Sequence, residues 1–599
     1  REGALTSLAS VADSSKEYFE KYYSVVMPIL VNILQTAVGK DLRLLRAKAI
    51  ECISLVGMAV GKDKFGPDSK IIMEMLMALQ SQEMDDDDPT ATYLLQAWAR
   101  ICKCLGHDFL PYLPVVMPPL LKSARLETDV SIKYVDDDDE EDEDDAEEVE
   151  TLIIGDRKIC IRTSTLEEKS TACIMLCCYV EELQEGFFPY IDEIVQLFVP
   201  LLRFAFHEEV RSTVATGMPE LLKAAKTSVE KGCGKDLAWV KGMLDFTLGP
   251  LIEAIEREPE ALIIVSQVEA IGKLVGVYGE GLDQQQVMAI FECLKKVLEG
   301  SVERRKERES RKESEDFDEE EAEAIEDENE EEDDVSDAVC ECLDEMLKKF
   351  RAAVMPLVEQ LLPFFAQMLE PARSQSEHRI AICLIDSVVE FGSDGGATLK
   401  YFNSFVPVLL NNCVSEDADI RQCAAYGLGV CAQSYAEHFA PVCKDALAKL
   451  MQVIQAPNAR SGDYEVATEN AVSALGKFVE FQQTAVDTNQ LAQFWISQLP
   501  LKADKSEAKV VHDQLCRFLE KGDPRVLGAE NANLPRIVYI LSRVLSEGTV
   551  SGDQTRNKLM AILQKAVQTI PQDQLQQQAQ QLEPKAQQVL QAAMSGGTA

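Results

Sequence analysis

The pattern that decides the fold is clearest in Asp419-Ile-Arg-Gln-Cys-Ala-Ala-Tyr-Gly-Leu-Gly429. An acidic residue opens a helix, an arginine follows it, and small residues recur where a neighbouring helix has to approach closely. Looser copies lie around Asp41, Glu209 and Ala474. Apolar residues recur at helical spacing along almost the whole chain, and strand-like alternation is nearly absent. The sequence therefore predicts an all-α fold.

A second repeated motif predicts the helix that precedes each of these. Phe19 to Pro28 returns as Phe109 to Pro118, and more loosely as Phe350 to Pro356. Each copy is expected to open a helix with proline in its first turn, where the missing N–H costs little. The chain is thus expected to consist of helix pairs, each with a first and a second helix.

The spacing of the second helices identifies the repeat class. Their expected starts are residues 41, 89, 167, 209, 261, 334, 377, 419, 465, 507 and 555. Most neighbouring starts are 42 to 52 residues apart, and a helix pair every ~40–47 residues is typical of HEAT and armadillo repeats. Such pairs cannot bury their apolar faces alone, so they stack. The predicted fold is an α-solenoid superhelix of HEAT repeats.

Two charged insertions are predicted to interrupt the array. The expected divisions are HEAT repeats in 1–127, 166–300 and 338–584, insertions in 128–165 and 301–337, and a terminal capping helix and tail in 585–599. The first insertion is acidic and ends in alternating runs near 151–162, which predict a small β-hairpin. The second is basic and then acidic, with charges at i,i+4 spacing, so a long exposed helix is expected there.

The charge balance points to the kind of partner. The chain has 59 Lys and Arg against 102 Asp and Glu, a net charge of −43. Such a field repels nucleic acid and anionic membranes and attracts basic proteins. Most of this charge comes from the two insertions and a short run at 85–88. The acidic runs have two interpretations that stay open: solvating loops, or polyanions that compete for basic cargo.

The sequence shows no recognisable motif for catalysis, cofactor binding or metal binding. We predict no catalytic, cofactor-binding or metal-binding residues, and therefore no enzyme activity. The 17 cysteines lie inside apolar runs, which is typical of buried thiols in a reducing compartment. Proline interrupts the long apolar stretch near residues 109–121, so no membrane insertion is expected there.

Candidate binding residues follow from the concave face of the solenoid, which one row of helices is expected to line and to use for binding cargo. The second helices carry acidic residues that are assigned to this face. A row of carboxylates there would pair with Lys and Arg of a basic ligand, whereas each one singly is also explained as a solvated or helix-start residue. Trp98 would either stack on a ligand or pack in the core, and Asn470 would bind an extended ligand or cap a neighbouring loop. The surface candidates are Glu51, Trp98, Glu208, Glu209, Asp386, Glu469 and Asn470. The acidic-run candidates are Asp136, Asp137, Asp138, Asp139, Glu319, Glu320 and Glu321.

Longer strings in this order resemble the importin-β, or karyopherin-β, family. They are Glu51-Cys-Ile-Ser-Leu-Val-Gly-Met-Ala-Val-Gly-Lys62, Gln96-Ala-Trp-Ala-Arg100, Leu166-Glu-Glu-Lys-Ser-Thr-Ala-Cys173, Ala424-Ala-Tyr-Gly-Leu-Gly-Val430 and Ala467-Thr-Glu-Asn470. The match spans most of the chain and includes the expected hairpin around Gly155 and Asp156. It implies the carboxy-terminal part of such a receptor, without the amino-terminal repeats that carry the family's main contact with the small GTPase Ran.

The resemblance also implies partners and a cellular role. Family members bind basic nuclear-localisation segments, including those of ribosomal proteins and histones, and contact Phe-Gly repeat nucleoporins. Ran in its GTP form releases the cargo, and the receptor shuttles between cytoplasm and nucleus, here expected as a monomer. Two alternatives stay open: a HEAT scaffold subunit of an enzyme complex, and an export receptor of the same superfamily.

Overall fold

The computed structural model describes residues 1–81, 88–125, 131–134, 149–154, 157–312 and 317–595. Within these residues the chain forms two compact units, Arg1–Cys342 and Leu343–Ala599. Both units consist mainly of α-helices with 3-10 segments between them, and the first also contains three short strands. The predicted all-α architecture is confirmed.

The first unit contains the helices up to α12, the last of which continues into the second unit. Their bounds are α1 Glu2–Ser15, α2 Glu20–Thr36, α3 Arg43–Gln80, α4 Thr90–Leu105, α5 Leu113–Arg125, α6 Thr163–Leu183, α7 Ile191–Leu201, α8 Glu208–Glu230, α9 Leu237–Ile255, α10 Ala261–Tyr278, α11 Gln284–Arg311 and α12 Glu319–Phe350.

The second unit contains the remaining helices. They are α13 Met355–Gln367, α14 Gln375–Phe391, α15 Phe402–Asn412, α16 Ala418–Ser434, α17 Cys443–Ile454, α18 Tyr464–Phe481, α19 Thr488–Gln498, α20 Lys505–Glu520, α21 Pro524–Leu527, α22 Leu534–Glu547, α23 Asp553–Thr569, α24 Gln572–Gln581 and α25 Pro584–Ser595.

The second helices of successive pairs pack against one another. In the first unit this row runs through α3, α4, α6, α8 and α10, and in the second through α14, α16, α18, α20 and α23. First helices such as α7, α9, α15 and α17 pack on the second helices of their own pairs. Each helix therefore buries one apolar face against its partner and another against the next repeat, as stacked repeats require.

The predicted starts of the second helices agree with the structure to within about four residues, with one exception. The exception is α12, which begins at Glu319 instead of near residue 334. Its acidic first turns form helix because arginines of α11 neutralise part of their charge, as described below. Residues 301–337 accordingly contain the ends of two helices and not one long helix, and 313–316 lie outside the described residues.

The expected proline positions hold in only one of the three motif copies. Pro356 lies in the first turn of α13, but Pro28 and Pro118 lie further inside α2 and α5. In those two copies a 3-10 turn holds the buried Phe19 or Phe109, and the α-helix begins directly after that turn. The helix start is therefore earlier than the proline predicts.

Three short strands flank the first acidic run in sequence. They are β1 Ser131–Tyr134, β2 Val149–Ile154 and β3 Arg157–Arg162. β3 is the central strand and pairs antiparallel with both neighbours, with Leu152 opposite Ile159. The β2–β3 pair covers the range of the expected hairpin, while its turn residues 155–156 lie outside the described residues.

Within the residues that the structure describes, one helix, α10, is apolar enough by length and composition to span a membrane. The apolar window extends over Ala261–Gly281 with a mean hydropathy of 1.5, and 61% of it is buried inside the protein. The helix packs between α8 and α9, so its hydropathy is explained by its place in the core.

Candidate functional site

The predicted surface residues of the first unit have different environments. The carboxylate of Glu51 in α3 pairs with Lys48 at 3.0 Å on the same helix. Glu208 and Glu209 are exposed in the first turn of α8, where the helix dipole favours negative charge. The Ser170 hydroxyl donates a hydrogen bond to Glu209 at 2.6 Å. Of this group, Glu208 and Glu209 are the most accessible to a partner.

Trp98 is a core residue and not a ligand-stacking residue. Its side chain is fully buried, and its ring meets that of Phe109 edge to face with centroids 6.2 Å apart. The indole N–H donates to Gln80 Oε1 at 2.8 Å, so its one polar group is satisfied inside the protein. The Trp98 ring is therefore not available to stack on a ligand.

Glu469 and Asn470 of α18 hold the connection between α19 and α20. The buried Glu469 carboxylate accepts the backbone N–H groups of Lys502, Ala503 and Asp504 at 2.8–2.9 Å. The Asn470 amide donates to Asp504 Oδ2 at 2.9 Å, and Asp504 caps the first turn of α20. For Asn470 the structure supports the loop-capping alternative. Neither side chain is placed to bind a ligand, because both are engaged inside the fold.

Asp386 of α14 is buried against α16. Its carboxylate lies over Gly427, where an added Cβ would be 2.0 Å from Asp386 Oδ1. That oxygen accepts no hydrogen bond. Burial raises the pKa of Asp386 well above its ordinary value, and Cys383 and Glu390 raise it further. A residue enclosed in this way does not present its charge to solvent.

In the second unit, other carboxylates of the second helices are paired within the protein. Tyr426 donates to Glu390 at 2.7 Å, and the buried Glu507 accepts Lys477 at 3.3 Å. Lys477 lies in turn over the Tyr426 ring, 4.5 Å from its centroid. The predicted row of carboxylates therefore exists in sequence, but in the second unit its charge is largely compensated within the protein.

The basic and acidic segments of 301–337 meet in an arrangement that we call the arginine clasp. It consists of Arg304, Arg305, Arg308 and Arg311 of α11 with Glu321, Glu328, Glu332 and Asp333 of α12. The ion pairs are 2.6–2.9 Å long. Each arginine of α11 therefore has a carboxylate opposite it, and the two helices are held together by charge-assisted hydrogen bonds.

Glu332 is the centre of the clasp. Its side chain is fully buried and receives Arg304 Nε at 2.6 Å and Arg308 Nη2 at 2.8 Å. Burial alone would raise the pKa of Glu332, but hydrogen bonds from Arg304, Ser301 and Arg308 together hold it below the ordinary value. Glu332 is therefore a structural anion.

The opposite side of α12 is an exposed acidic face. Its members are Glu319, Glu320, Glu323, Glu326, Asp327, Glu330 and Asp334. At about 100° per residue these side chains share an arc of about 120° along the helix. The acidic face extends over four turns of α12.

The acidic-run candidates therefore separate into three groups. Glu319 and Glu320 belong to the acidic face, whereas Glu321 belongs to the clasp, paired with Arg311. Asp136, Asp137, Asp138 and Asp139 lie outside the described residues. Sequence reasoning missed the clasp, although the arginine spacing i, i+1, i+4, i+7 matches one helix face and was the available signal.

An apolar pocket lies between first helices of the second unit. It has a volume of about 380 Å³, and it is lined by α13, α14, α15 and the turn before α15. Leu362, Phe365, Leu384, Phe405 and Val408 contribute to its wall. No local pattern in the sequence predicts this pocket, because its wall residues look like ordinary core positions of three helices.

Metal binding has no support in the described part of the chain. Among those residues, no group of three or more His, Cys, Asp or Glu side chains is arranged to hold a metal ion.

Comparisons with known proteins place the chain among the importins. The family model "Importin subunit beta-1-like, TPR repeats" matches residues 1–137, and "Importin repeat 6" matches residues 263–371. Importin subunit beta-3 of Saccharomyces cerevisiae is 30% identical over 92% of this chain and 49% of the relative. The probable importin-5 homolog of Dictyostelium discoideum is 27% identical over 92% of this chain and 50% of the relative.

Solved structures of Kap121p share the fold. The crystal structure of Kap121p alone has a TM-score of 0.76 and 25% identity, covering 100% of this chain and 52% of that one. Structures with 25% identity also exist of Kap121p bound to RanGTP, to Ste12p and to Nup53p. The likeness confirms the predicted HEAT solenoid class.

The extent and kind of these matches allow one conclusion about identity. The chain spans about half the length of the curated relatives it matches. Those relatives are named as importins and not as enzymes, so the prediction that the chain is not an enzyme is confirmed. The order of its repeats, the two family matches and the Kap121p fold agree: this chain belongs to the importin-β family.

Proposed function

We propose that this chain is part of a nuclear import receptor that binds basic segments of cargo proteins and shuttles between cytoplasm and nucleus. The family membership supports a transport role. The net charge of −43 supports basic cargo, such as the localisation segments of ribosomal proteins or histones. The acidic face of α12 supports the choice of binding site, because its carboxylates are exposed to solvent while those of the clasp are neutralised by arginines.

The acidic face suits an extended or helical basic segment. Its carboxylates repeat at three- and four-residue intervals, so Lys and Arg side chains of a partner would meet a charge at each turn. Exposed pairs of this kind mainly accelerate encounter and are sensitive to salt. We propose the acidic face as the main contact, with Glu208 and Glu209 as further candidates in the same unit.

Charge neutralisation tests this site. Binding of a Lys/Arg-rich peptide is measured for the chain with Glu323→Gln, Asp327→Asn and Glu330→Gln combined. The control combines Glu230→Gln, Glu437→Gln and Asp445→Asn, three exposed acids elsewhere. We expect about tenfold weaker binding for the first variant at low salt, and less than twofold for the control.

The salt dependence gives a second readout of the same proposal. Binding of the peptide should weaken steeply between low and physiological ionic strength. Salt-independent binding, or equal losses in the two triple variants, would contradict binding at the acidic face.

The apolar pocket between α13 and α15 is proposed as a docking site for Phe-Gly repeat nucleoporins. Its volume of about 380 Å³ and its wall of Leu, Phe and Val side chains suit an aromatic ring. Ala366 lines the pocket and is exposed, so Ala366→Glu adds charge at the mouth with little effect on the core. We expect this variant to lose Phe-Gly peptide binding, while Gln367→Glu, at an exposed neighbour outside the wall, retains it.

The direction of transport is tested with Ran in its GTP form. Kap121p has been crystallised with RanGTP, and we propose that Ran-GTP displaces cargo from the complete receptor to which this chain belongs. Cargo affinity of that receptor is measured with and without Ran-GTP. Weaker cargo binding with Ran-GTP supports import, and stronger binding would indicate export.

A further inference from the structure

Two cysteine thiols from neighbouring repeats are in contact in the second unit. Cys383 lies on α14 and Cys423 on α16, and their Sγ atoms are 3.3 Å apart. Both residues are half-buried on the row of second helices. A disulfide needs a sulfur separation of about 2.05 Å, so the two sulfurs have to approach by little more than 1 Å.

The packing of the two helices explains this contact. Cys383 of α14 faces Cys423 of α16, and one turn further Asp386 faces Gly427. The order is the same on both helices, so they run in parallel. Gly427 has no side chain, and the Asp386 carboxylate fills the space that a Cβ would need. This close approach brings the two cysteines together.

We propose that Cys383 and Cys423 form a site of reversible oxidation, at which hydrogen peroxide converts the two thiols into a disulfide joining α14 to α16. The proposed transport function does not depend on this disulfide. The disulfide would connect two successive repeats that are otherwise held by packing and hydrogen bonds.

The chemistry balances with hydrogen peroxide as the oxidant. The thiolate of one cysteine attacks a peroxide oxygen, the O–O bond breaks, and a sulfenic acid and one water are formed. The second thiol attacks the sulfenic sulfur, the S–S bond forms, and the hydroxyl group leaves as a second water. Two electrons pass from the sulfurs to the peroxide, and both thiol protons end in water. A dithiol reductant reverses the oxidation.

The surroundings of the pair set its reactivity. The contact with Cys383, burial and the nearby Asp386 raise the pKa of the Cys423 thiol, while Arg379 lowers it by less. The thiolate is the reactive form. Oxidation should therefore be slow at neutral pH and faster as the pH rises. Once a sulfenic acid has formed, the second thiol is already in place, so disulfide formation outpaces further oxidation.

Peptide mapping of the full chain tests the proposal. The chain is treated with hydrogen peroxide at pH 7 and pH 9, remaining thiols are alkylated, and peptides are analysed without reduction. We expect a linked peptide pair containing Cys383 and Cys423, lighter by about two hydrogens than the separate thiols. It should form faster at pH 9 and disappear after treatment with dithiothreitol.

Single substitutions provide the controls. Cys383→Ser and Cys423→Ser should each abolish the linked peptide, whereas Cys431→Ala, at a buried thiol of the same helix, should retain it. The proposal is overturned if the unsubstituted chain gives separately alkylated or sulfinic forms of both cysteines. It is also overturned if the peptide with the remaining cysteine, in Cys383→Ser or Cys423→Ser, is still lighter by two hydrogens after oxidation.

Discussion

At the scale of single residues, Asp386 is a position where an ionised side chain opposes folding. Its carboxylate is enclosed between α14 and α16, and one oxygen lacks a hydrogen bond. Burial raises the pKa of Asp386 well above 3.8, so the folded state binds its proton more tightly than the unfolded chain does. Stability from this group is therefore present below pH 3.8 and is lost as the pH rises through the raised value.

Asp386→Asn should consequently stabilise the protein at neutral pH. The amide has the same shape and carries no charge to bury, so we expect a gain of about 1–3 kcal/mol in the free energy of unfolding. Denaturant unfolding at pH 7 and pH 4 measures it, and the gain should shrink at pH 4. Asp344→Asn is the control, because that carboxylate accepts Ser387 and pairs with Lys348. An unchanged or lower stability of Asp386→Asn would contradict the burial argument.

His512 gives the opposite dependence on pH. It is fully buried, its Nε2 accepts the N–H of Leu501 at 3.3 Å, and its Nδ1 lies 2.8 Å from the carbonyl of Thr549. Nδ1 therefore carries the proton of a neutral ring. Burial lowers the pKa of His512 below 6.5, so the unfolded chain takes up a proton that the folded chain does not.

We therefore expect stability to fall as the pH drops below 6.5, by at most about 1.4 kcal/mol per pH unit from this residue. Urea unfolding at pH 7.5, 6.5 and 5.5 provides the measurement. In His512→Gln this part of the slope should disappear, although the variant starts from a lower stability. Equal slopes in both proteins would show that His512 does not titrate on unfolding.

At the scale of elements, the arginine clasp stabilises the acidic first half of α12 as a helix. Its first turns are rich in Glu and Asp, and like charges at i,i+4 spacing destabilise an isolated helix. Arg308 contacts both Glu328 and Glu332, at 2.7 and 2.8 Å. Because Glu332 is fully buried, losing a partner leaves a buried charge partly uncompensated.

Arg308→Ala should therefore destabilise the α11–α12 pair by about 3 kcal/mol. Hydrogen exchange should show faster exchange in the first half of α12 and in the end of α11. Lys312→Ala is the matched control, since Lys312 directly follows α11 and pairs with the exposed Glu309 in its last turn. If both variants exchange alike, the clasp is no more than a set of surface ion pairs.

The starts of the helices could be predicted from the sequence, but the roles of some of their side chains could not. Helix starts such as those of α16 and α18 were predictable because an acidic residue in the first turn and recurring small residues are local signals. The roles of Glu469 and Asp386 were not, because both look like acidic residues on a second helix. One accepts three N–H groups from a distant turn, and the other is enclosed by a neighbouring repeat. Partners about 35–40 residues away decide such roles, and no local pattern reports them.

At the scale of the whole molecule, the net charge of −43 is a source of repulsion within the chain. Ion pairs such as those of the clasp offset part of it, but the acidic face adds uncompensated charge. Salt screens exposed charges more strongly than buried ones. Repulsion between exposed carboxylates should therefore weaken with salt, whereas the buried part of the clasp is retained.

Raising KCl from 0.05 to 0.3 M should accordingly increase the melting temperature by several degrees. The combined variant Glu323→Gln, Asp327→Asn and Glu330→Gln should melt higher at low salt and gain less from added salt. Differential scanning calorimetry measures both effects. A melting temperature that falls with salt would mean that surface attraction outweighs repulsion in this protein.

Helix α3 is two helices joined at Gly61, and this junction has a consequence for proteases. At Gly61 the backbone takes φ 75° and ψ 175°, a conformation open to glycine alone, and helix continues on both sides. One repeat therefore passes to the next with a single non-helical residue and no extended loop. A protease needs an extended segment in its active site. The junction at Gly61 should thus resist nicking, and a cut there would first require a turn of helix to unwind.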